Sequence, residues 1–224
     1  GSFTQGYFES PQDFSRFNGL LKYHGQISKN STLSALLSGL TSKWNASGQI
    51  PDRAVADGTI GFYGAIDDKE GGKTSRYNAS AELVTRLGNG STLRNQLFYS
   101  RYNFELYSNF TFFKEDPVNG DQIRQKEGRN IIGYNLNWQQ DHHFANKKAQ
   151  FSSGLQVRYD DVNDIELSRT KNRTQVTNAL MLGNINELNT GLFAQEKIFL
   201  NNRWDLTAGI RADQFANKYE DLLN

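Results

Sequence analysis

Apolar and polar residues alternate with a period of two through much of the chain. Five segments show the alternation cleanly, and they begin near Phe17, Arg76, Ile132, Phe151 and Trp204. Successive side chains of a β-strand point to opposite faces, so each segment is predicted to be a strand with one face in an apolar medium and the other in water.

Three further segments, Ser31 to Trp44, Thr92 to Leu106 and Asn186 to Phe199, alternate less regularly. Within Thr92 to Leu106 the apolar positions change phase, which predicts a β-bulge because one extra residue inverts every later side chain. The eight predicted strands have about 10 to 16 residues, whereas a strand of a soluble protein averages about five or six. A tilted strand of about 9 to 11 residues crosses a bilayer, so the lengths favour a membrane protein.

The predicted connections alternate strictly between short and long. Short turns are expected at Ser28 to Asn30, Gly88 to Gly90, Asp141 to Lys148 and Leu200 to Arg203, and long connections at Asn45 to Lys73, Asn109 to Glu127 and Asp161 to Asn184. Strands that run up and down place all short turns at one end and all long loops at the other, as in outer-membrane barrels. The three prolines, Pro11, Pro51 and Pro117, fall in predicted loop regions. Residues 1–14 and 215–224 are also expected to be loop segments.

Two sets of residues are predicted to lie on opposite faces of the strands. The set expected to face lipid comprises Tyr77, Leu83, Ile132, Leu136, Leu155, Val157, Leu206 and Ile210, and the set expected to face the interior comprises Arg76, Glu82, Asn135, Gln156 and Arg211. A soluble sandwich also has one apolar face on each strand. The charges on the polar face and the small residues on the apolar face favour a wide, wet lumen over a packed dry core.

Composition excludes several other classes. The chain has 224 residues, a mean hydropathy of −0.68, a net charge of +1 and no cysteine. It contains no run of the roughly 18 to 20 uncharged apolar residues that a spanning helix needs. It also contains no run of like charges, so no nucleic-acid partner is expected.

The loops carry a resemblance to a known family. The sequences NASGQIPDRAV (45–55), GFYGAIDDKEGGKTSRYNAS (61–80) and YSNFTFFKEDPVNGDQIRQKEGR (107–129) resemble successive stretches of one group of TonB-dependent receptors, and LTAGIRAD (206–213) is similar to a strand common among them. The resemblance covers nearly the whole chain in the same order.

The resemblance implies an all-β, antiparallel, up-and-down transmembrane β-barrel. Residues 1–224 would form a segment of about eight strands of a 22-stranded barrel in the outer membrane of a Gram-negative bacterium. It implies outer-membrane lipid, a plug domain, the remaining barrel strands, the inner-membrane TonB complex and a small solute as partners. The solute would be a ferric siderophore, haem, cobalamin or an oligosaccharide. The plug and the TonB box have no counterpart in this sequence. A passive porin and a soluble carbohydrate-binding β-protein remain alternatives.

Two groups of residues are candidates for contact with a solute. Tyr107, Phe110, Phe112 and Phe113 form the densest aromatic cluster in the chain and lie in a predicted external loop, where aromatic rings could stack on a ligand or simply pack among loops. Arg76 and Arg211, together with Arg158, are expected to face the lumen, where they could contact an anionic solute or pair with carboxylates.

No catalytic, cofactor or metal site is predicted. The chain lacks cysteine, and His142 and His143 are adjacent, so on a strand they would point apart without an obvious third ligand. The acidic residues between Asp160 and Glu166 match no calcium-loop spacing and are expected to be solvated. No nucleophile lies in a recognisable pairing with a base, so an enzyme is not expected.

Overall fold

Nine antiparallel strands form a single sheet in chain order in the computed structural model, which describes residues 1–4, 7–10 and 12–223. The strands are β1 (Ser2–Thr4), β2 (Phe14–Ser28), β3 (Ser31–Ala46), β4 (Glu70–Arg86), β5 (Thr92–Ser108), β6 (Ile123–Phe144), β7 (Lys147–Lys171), β8 (Gln175–Phe199) and β9 (Asp205–Asp221), and one short helix, α1 (Asp52–Ala56), lies between β3 and β4. In the described part of the chain, no helix is long and apolar enough to cross a membrane.

The prediction of an all-β, up-and-down architecture with eight long strands is confirmed. Each strand pairs with its sequence neighbours, and β1 adds a strand of three residues at one edge. Tight turns join β2 to β3, β4 to β5, β6 to β7 and β8 to β9 at one end of the sheet. Between β6 and β7 only Ala145 and Asn146 intervene, and their φ values of 47° and 62° are those of a type I′ hairpin turn.

The predicted long connection from Asp161 to Asn184 is wrong. Strand β7 continues to Lys171 and β8 begins at Gln175, so only residues 172–174 connect them. The pairing from Asp161↔Asn186 to Lys171↔Gln175 contains three register shifts. Apolar and polar residues alternate along a strand only where one face of the strand meets an apolar medium. The part of the β7–β8 hairpin beyond residue 161 has no such medium on either face. Its sequence therefore does not alternate, although the two strands remain paired. The same reason explains why residues 215–221, expected in a loop, belong to β9.

The bulge predicted within Thr92 to Leu106 is also wrong. Strand β5 pairs without interruption from Thr92↔Arg86 to Tyr107↔Gly71 on one side, and from Thr92↔Gln139 to Ser108↔Ile123 on the other. The change of phase comes from aromatic side chains on the inner side of the sheet. Phe98 lies over Gly133, where a Cβ would clash with its ring, and the rings of Tyr102 and Phe104 stack with centroids 6.4 Å apart.

The register places the two predicted sets of residues on opposite faces. Leu136 pairs with Leu155, Leu155 with Leu192, and Leu192 with Ala212, so this face runs continuously across the sheet and is called the outer face here. Asn135 pairs with Gln156, Gln156 with Gly191, and Gly191 with Asp213 on the opposite, inner face. The charged and amide side chains therefore share one wall.

The outer face remains uncovered by protein among the described residues. Large apolar side chains on it, including Leu37, Leu97 and Ile210, are more than half exposed. The described residues that are both hydrophobic and buried are only Ala54, Tyr107, Phe112, Ala149 and Val162. A water-soluble protein seldom leaves so large a continuous apolar surface in contact with water, so the surface fits a lipid environment.

The loops between long strands lie at the other end of the sheet from the tight turns. Pro51 directly precedes α1 in the connection 47–69, and Pro117 lies in the connection 109–122, as expected for residues without a backbone N–H. Pro11 lies outside the described residues.

Arginine substitutions should distinguish the two faces. We expect Leu136→Arg to destabilise the folded protein in a bilayer by about 2 to 4 kcal/mol, because it places a charge on the outer face near the middle of the membrane. Asn135→Arg, at the adjacent position on the inner face, should destabilise the folded protein much less. Reversible unfolding of the full-length protein in lipid vesicles, monitored by tryptophan fluorescence, measures both values, and equal costs would contradict the assignment of faces.

Candidate functional site

The long connections 47–69 and 109–122 and the turn 172–174 meet above the sheet in a unit that we call the loop assembly. Gln122, which is almost fully buried, links all three. Its side-chain N–H groups donate to Asp67 Oδ2 (3.1 Å) and to the carbonyl of Lys69 (3.4 Å). Its Oε1 accepts from the backbone N–H of Arg173 (2.9 Å) and from the hydroxyl of Thr170 (3.1 Å). The amide therefore uses all its capacity to hold three segments together.

Asn109 and Asp67 form the second link in the loop assembly. The Asn109 side chain donates to Asp67 Oδ2 (3.1 Å) and accepts from the backbone N–H of Phe112 (2.8 Å). Both residues are buried, and Asp67 Oδ1 also accepts from the backbone N–H of Lys69 (2.9 Å). Because donors already surround the Asp67 carboxylate, these contacts satisfy it as a structural acceptor.

Two arginines complete the connections. Arg53 of α1 donates through Nη2 to the carbonyls of Thr111 (3.0 Å) and Phe112 (3.1 Å), which ties the helix to the connection 109–122. Arg173 donates to the carbonyls of Lys69 and Glu70 and lies over the ring of Tyr107, with Cζ 5.6 Å from the ring centroid. Such a contact between a guanidinium and an aromatic face is favourable.

Asp121 organises the connection 109–122 from within. Burial alone would raise its pKa, but a hydrogen bond from the Thr111 hydroxyl (2.5 Å) and bonds from the backbone N–H groups of Glu115 (3.1 Å) and Asp116 (2.8 Å) outweigh it and lower the pKa. The carboxylate thus stays ionised and holds the loop in one shape.

Glu70 is the exception in the loop assembly. Its side chain is buried against Gly48, and its Oε1 has no hydrogen-bond partner among the described residues. Burial raises the pKa of Glu70 from 4.5 to about 7; a hydrogen bond from the backbone of Asn109 opposes this rise, and the nearby charge of Asp67 adds to it. The loop assembly therefore contains a carboxyl group that takes up a proton near neutral pH.

The four aromatic candidates do not share one exposed surface. Tyr107 and Phe112 are buried, and Tyr107 donates its hydroxyl to Glu105 (2.5 Å). Phe112 and Phe113 have left-handed backbone angles, with φ of 54° and 61°, and the Phe113 ring packs against Gly120. Phe110 alone of the four is well exposed, at 61%. Packing among loops thus accounts for most of the cluster, and Phe110 remains available to a ligand.

A second aromatic group, which the sequence interpretation missed, lies at the same end of the sheet. Phe8 and Phe62 each contact Tyr63 edge-to-face, with ring centroids 6.4 Å and 5.2 Å from that of Tyr63. The backbone N–H of Glu9 donates to the carbonyl of Tyr63 (3.0 Å), which fixes the two segments together. Two adjacent aromatics between glycines, in the run GFYG (61–64), were the only signal in the sequence.

The lumen candidates Arg76 and Arg211 lie on the inner face, as predicted. Arg211 binds Asp213 two residues along its own strand, with Nε–Oδ2 2.8 Å and Nη2–Oδ1 2.6 Å. Gly191 on β8 leaves the space that this pair occupies, since a Cβ there would lie 2.5 Å from Arg211 Nη2. Arg76 instead donates to neutral groups, Asn78 Oδ1 (3.3 Å) and Ser100 Oγ (3.4 Å). Among the described residues, therefore, no carboxylate pairs with Arg76 on the inner wall, whereas Arg211 has one in Asp213.

Arg158 repeats the arrangement of Arg211 two strands away. It binds Asp160, also two residues along its strand, with Nε–Oδ1 2.8 Å and Nη2–Oδ2 2.6 Å. A cavity of about 270 Å³ lies between the two pairs and is lined by Asn135, Gln156, Arg158, Asn189, Arg211 and Asp213 among others. Amide groups and preformed Arg–Asp pairs can hydrogen-bond a polar surface placed against this wall.

The remaining polar candidates form no site. Within the described residues no group of three or more His, Asp or Glu side chains is arranged to hold a metal ion. His142 lies on the outer face near the tight turns, where its Nε2 is 3.2 Å from Glu196 Oε1. Asp160 and Asp161 belong to β7 rather than to a loop, so the acidic run is divided between the two faces of the sheet.

An up-and-down sheet with an apolar outer face, a charged inner wall and an ordered loop assembly at one end defines a membrane-barrel protein of the outer-membrane type. The model of the family described as "TonB dependent receptor-like, beta-barrel" matches residues 5–224. The chain belongs to this family, and the resemblance seen in its loops is confirmed.

Solved structures show the same fold at low sequence identity. The unliganded ferric citrate transporter FecA matches 96% of the chain with a TM-score of 0.78 and 12% identity. The FpvAI–pyocin S2 complex matches 93% with a TM-score of 0.67 and 10% identity, and the ferripyoverdine receptor of Pseudomonas aeruginosa bound to ferripyoverdine matches 92%, also with a TM-score of 0.67 and 10% identity. The chain spans 31% of the length of each. No curated protein matches the chain in sequence.

Glu70 should make the loop assembly sensitive to pH. Since its pKa is raised in the folded state, its contribution to stability is full below about pH 4.5 and is lost as the pH rises through about 7. We expect hydrogen-exchange protection in residues 47–69 and 109–122, corrected for the intrinsic pH dependence of exchange, to fall between pH 5 and pH 8. Glu70→Gln should abolish this fall, and an unchanged pH dependence in that variant would contradict the role of Glu70.

Gln122 should be the residue on which the loop assembly depends most. Gln122→Leu leaves the hydroxyl of Thr170 and the backbone N–H of Arg173 without their acceptor, and an unsatisfied buried group costs about 1 to 3 kcal/mol. We expect faster cleavage of residues 109–122 by a non-specific protease in the full-length protein. Gln125→Leu, three residues further along the chain at an exposed position of β6, is the control and should leave the rate of cleavage unchanged.

Proposed function

We propose that this chain is part of the wall and mouth of an outer-membrane receptor that takes up a scarce solute with energy from the inner-membrane TonB complex. Membership of the TonB-dependent receptor-like β-barrel family supports the proposal. The single structural observation that carries it is the contrast between the two faces, an apolar surface outside and a wall of charged and amide groups inside. Such a wall suits a wide, hydrated lumen rather than a packed core.

The inner wall supports a folded partner inside the lumen. Arg158 and Arg211 already pair with Asp160 and Asp213 on their own strands. These pairs and the neighbouring amides present fixed donors and acceptors to a polar surface without demanding a counter-ion, and Arg76 adds a cation that pairs with no carboxylate of the described residues. We therefore propose that the inner face contacts a plug domain, and that this plug and the remaining strands come from chain beyond these residues.

The loop assembly supports a role in first contact with the solute. Hydrogen bonds fix its backbone through Gln122, Asn109 and Asp121, whereas Phe110 and Phe62 remain exposed at 61% and 70%. Exposed aromatic rings on a fixed scaffold can stack on a ligand at little cost in conformational entropy. Two of the similar structures are a ferric citrate transporter and a ferripyoverdine receptor, so a ferric chelate is the first solute class to test.

Uptake by cells that produce the full-length protein tests the proposal. We expect the protein to fractionate with the outer membrane and to support accumulation of a radiolabelled ferric siderophore only when TonB is present. Uptake that persists without TonB would indicate a passive porin. Recovery of the protein in the aqueous fraction without detergent would indicate a soluble β-protein.

Phe110 provides a sharper prediction within the same assay. We expect Phe110→Ala to weaken solute binding about fivefold, since loss of one stacked ring is worth about 1 kcal/mol. Val118→Ala is the matched control, because Val118 lies in the same connection and is 79% exposed. Equal effects of both variants, or none from Phe110→Ala, would remove Phe110 from the ligand-contacting residues.

A further inference from the structure

Two adjoining grooves lie on the sheet, an apolar one on strands β2 to β5 and a polar one on strands β3 to β7. The apolar groove has a volume of about 660 Å³, and the polar groove, of about 430 Å³, lies on the side toward the loop assembly. Thr41 lines both, so the two grooves adjoin each other at this residue. Neither groove has a role in the proposed passage of a solute, since both open on the outer face.

Small residues create the apolar groove. Gly19, Gly39 and Ala79 lie at its base, while Phe17, Tyr77 and Tyr99 border it. A Cβ at Gly39 would lie 3.2 Å from the Tyr77 ring, so glycine allows that ring to lie flat along the sheet. The Tyr99 hydroxyl donates to Asn130 Oδ1 (2.8 Å), which fixes the second ring. The result is a channel about as wide as one missing side chain and bordered by fixed aromatic rings, a shape that accepts an alkyl chain.

Cations and hydrogen-bonding groups line the polar groove. Lys73 pairs with Glu105 (2.7 Å), and Lys126 pairs with Asp164 (3.3 Å). Glu127 also lines the groove, but its carboxylate pairs with Arg129 (3.7 Å). The hydroxyl groups of Thr41 and Ser75 and the amide of Asn103 line the groove between these charges.

Arg101 is the one cation of this groove that has no carboxylate partner among the described residues. It lies next to Tyr77 in the register, at the junction of the two grooves. Its guanidinium extends over Gly128, where a Cβ would be only 3.4 Å from Nη2, so glycine leaves it room to extend. The guanidinium of Arg101, which has no carboxylate partner among the described residues, therefore lies directly beside the apolar groove.

We propose that the two grooves form one binding site for a membrane lipid with an anionic phosphate headgroup, from the leaflet on the side of the long loops. The acyl chain lies in the apolar groove between Phe17 and Tyr77. The phosphate accepts hydrogen bonds from Arg101, with Lys73 nearby. A guanidinium fork binds phosphate oxygens in two-point geometry. A headgroup with a net negative charge is also attracted more strongly than a zwitterionic one, in which a choline offsets the charge of the phosphate.

Continuity with the apolar groove identifies a lipid rather than a free anion. A soluble phosphate would gain nothing from Gly39, Ala79 and the two tyrosines. The boundary between apolar and charged residues on these strands also falls at the level of Tyr77 and Tyr99, and tyrosine prefers the interface between acyl chains and headgroups. The site rests on the membrane location of the outer face and is independent of which solute the receptor takes up.

Native mass spectrometry of the full-length protein in detergent tests the site. The protein is titrated separately with phosphatidic acid, with phosphatidylcholine of the same acyl chains, and with inorganic phosphate. We expect one tightly bound phosphatidic acid, weaker phosphatidylcholine and no retained inorganic phosphate. Arg101→Gln should weaken phosphatidic acid binding about tenfold, the loss expected for a charge-assisted hydrogen bond.

Arg94→Gln is the matched control, because Arg94 lies on the same strand but on the inner face, where it pairs with Glu82 (3.0 Å). It should bind phosphatidic acid as the unsubstituted protein does. Gly39→Leu, which fills the apolar groove, should weaken both lipids alike, and an unchanged melting temperature shows that the variant is folded. Equal binding of both lipids to the unsubstituted protein, an equal loss in the two arginine variants, or retention of inorganic phosphate as strong as that of the lipid would each overturn the proposal.

Discussion

The pairing of every backbone N–H and C=O group within the sheet is the constraint on which the rest of the structure depends. A bilayer core offers no water to an unpaired peptide group, so a strand that crosses it must bond to a neighbour along its whole length. The register has no shift in the pairings of β3 with β4, β4 with β5 and β5 with β6, and that of β6 with β7 is regular from the tight turn to Gly128. The irregularities in β7 and β8 begin at Val162, beyond the outer-face residues Ile132 and Tyr159. Register shifts are thus concentrated where water can form hydrogen bonds with the backbone N–H and C=O groups that they leave unpaired.

Uninterrupted pairing also determines what each face can do. Once the register is fixed, it determines the face of the sheet on which each side chain lies. The apolar residues therefore face lipid, and the polar residues line the interior. The inner face then satisfies its charges locally, through the Arg158–Asp160 and Arg211–Asp213 pairs on single strands. Pairs within one strand need no partner strand or ligand, so this part of the wall is satisfied before anything is placed against it, whereas Arg76 on β4 has no carboxylate partner among the described residues.

Above the membrane a different interaction takes over. The loop assembly has few buried apolar residues and depends instead on buried amides and carboxylates, with Gln122, Asn109 and Asp67 joining segments up to 55 residues apart in sequence. Networks of this kind impose one geometry because each unsatisfied member is costly. Glu70, at the start of β4, is the carboxylate that the network does not satisfy, and its raised pKa is the reason that we expect the assembly to respond to pH.

The sequence by itself determined the architecture wherever the strands have an apolar medium on one side and water on the other, since that contrast imposes a period of two. The eight strands, the four tight turns and the faces of Leu136, Asn135, Arg76 and Arg211 all follow from it. The sequence did not reveal that β7 and β8 continue through residues 161–184, because both faces of that hairpin meet water or other loops. It also did not show that Tyr107 and Phe112 are buried, that Gln122 joins three segments, or that Arg101 lies beside an apolar groove. These depend on contacts between strands and loops distant in sequence, and only the tertiary structure brings such residues together.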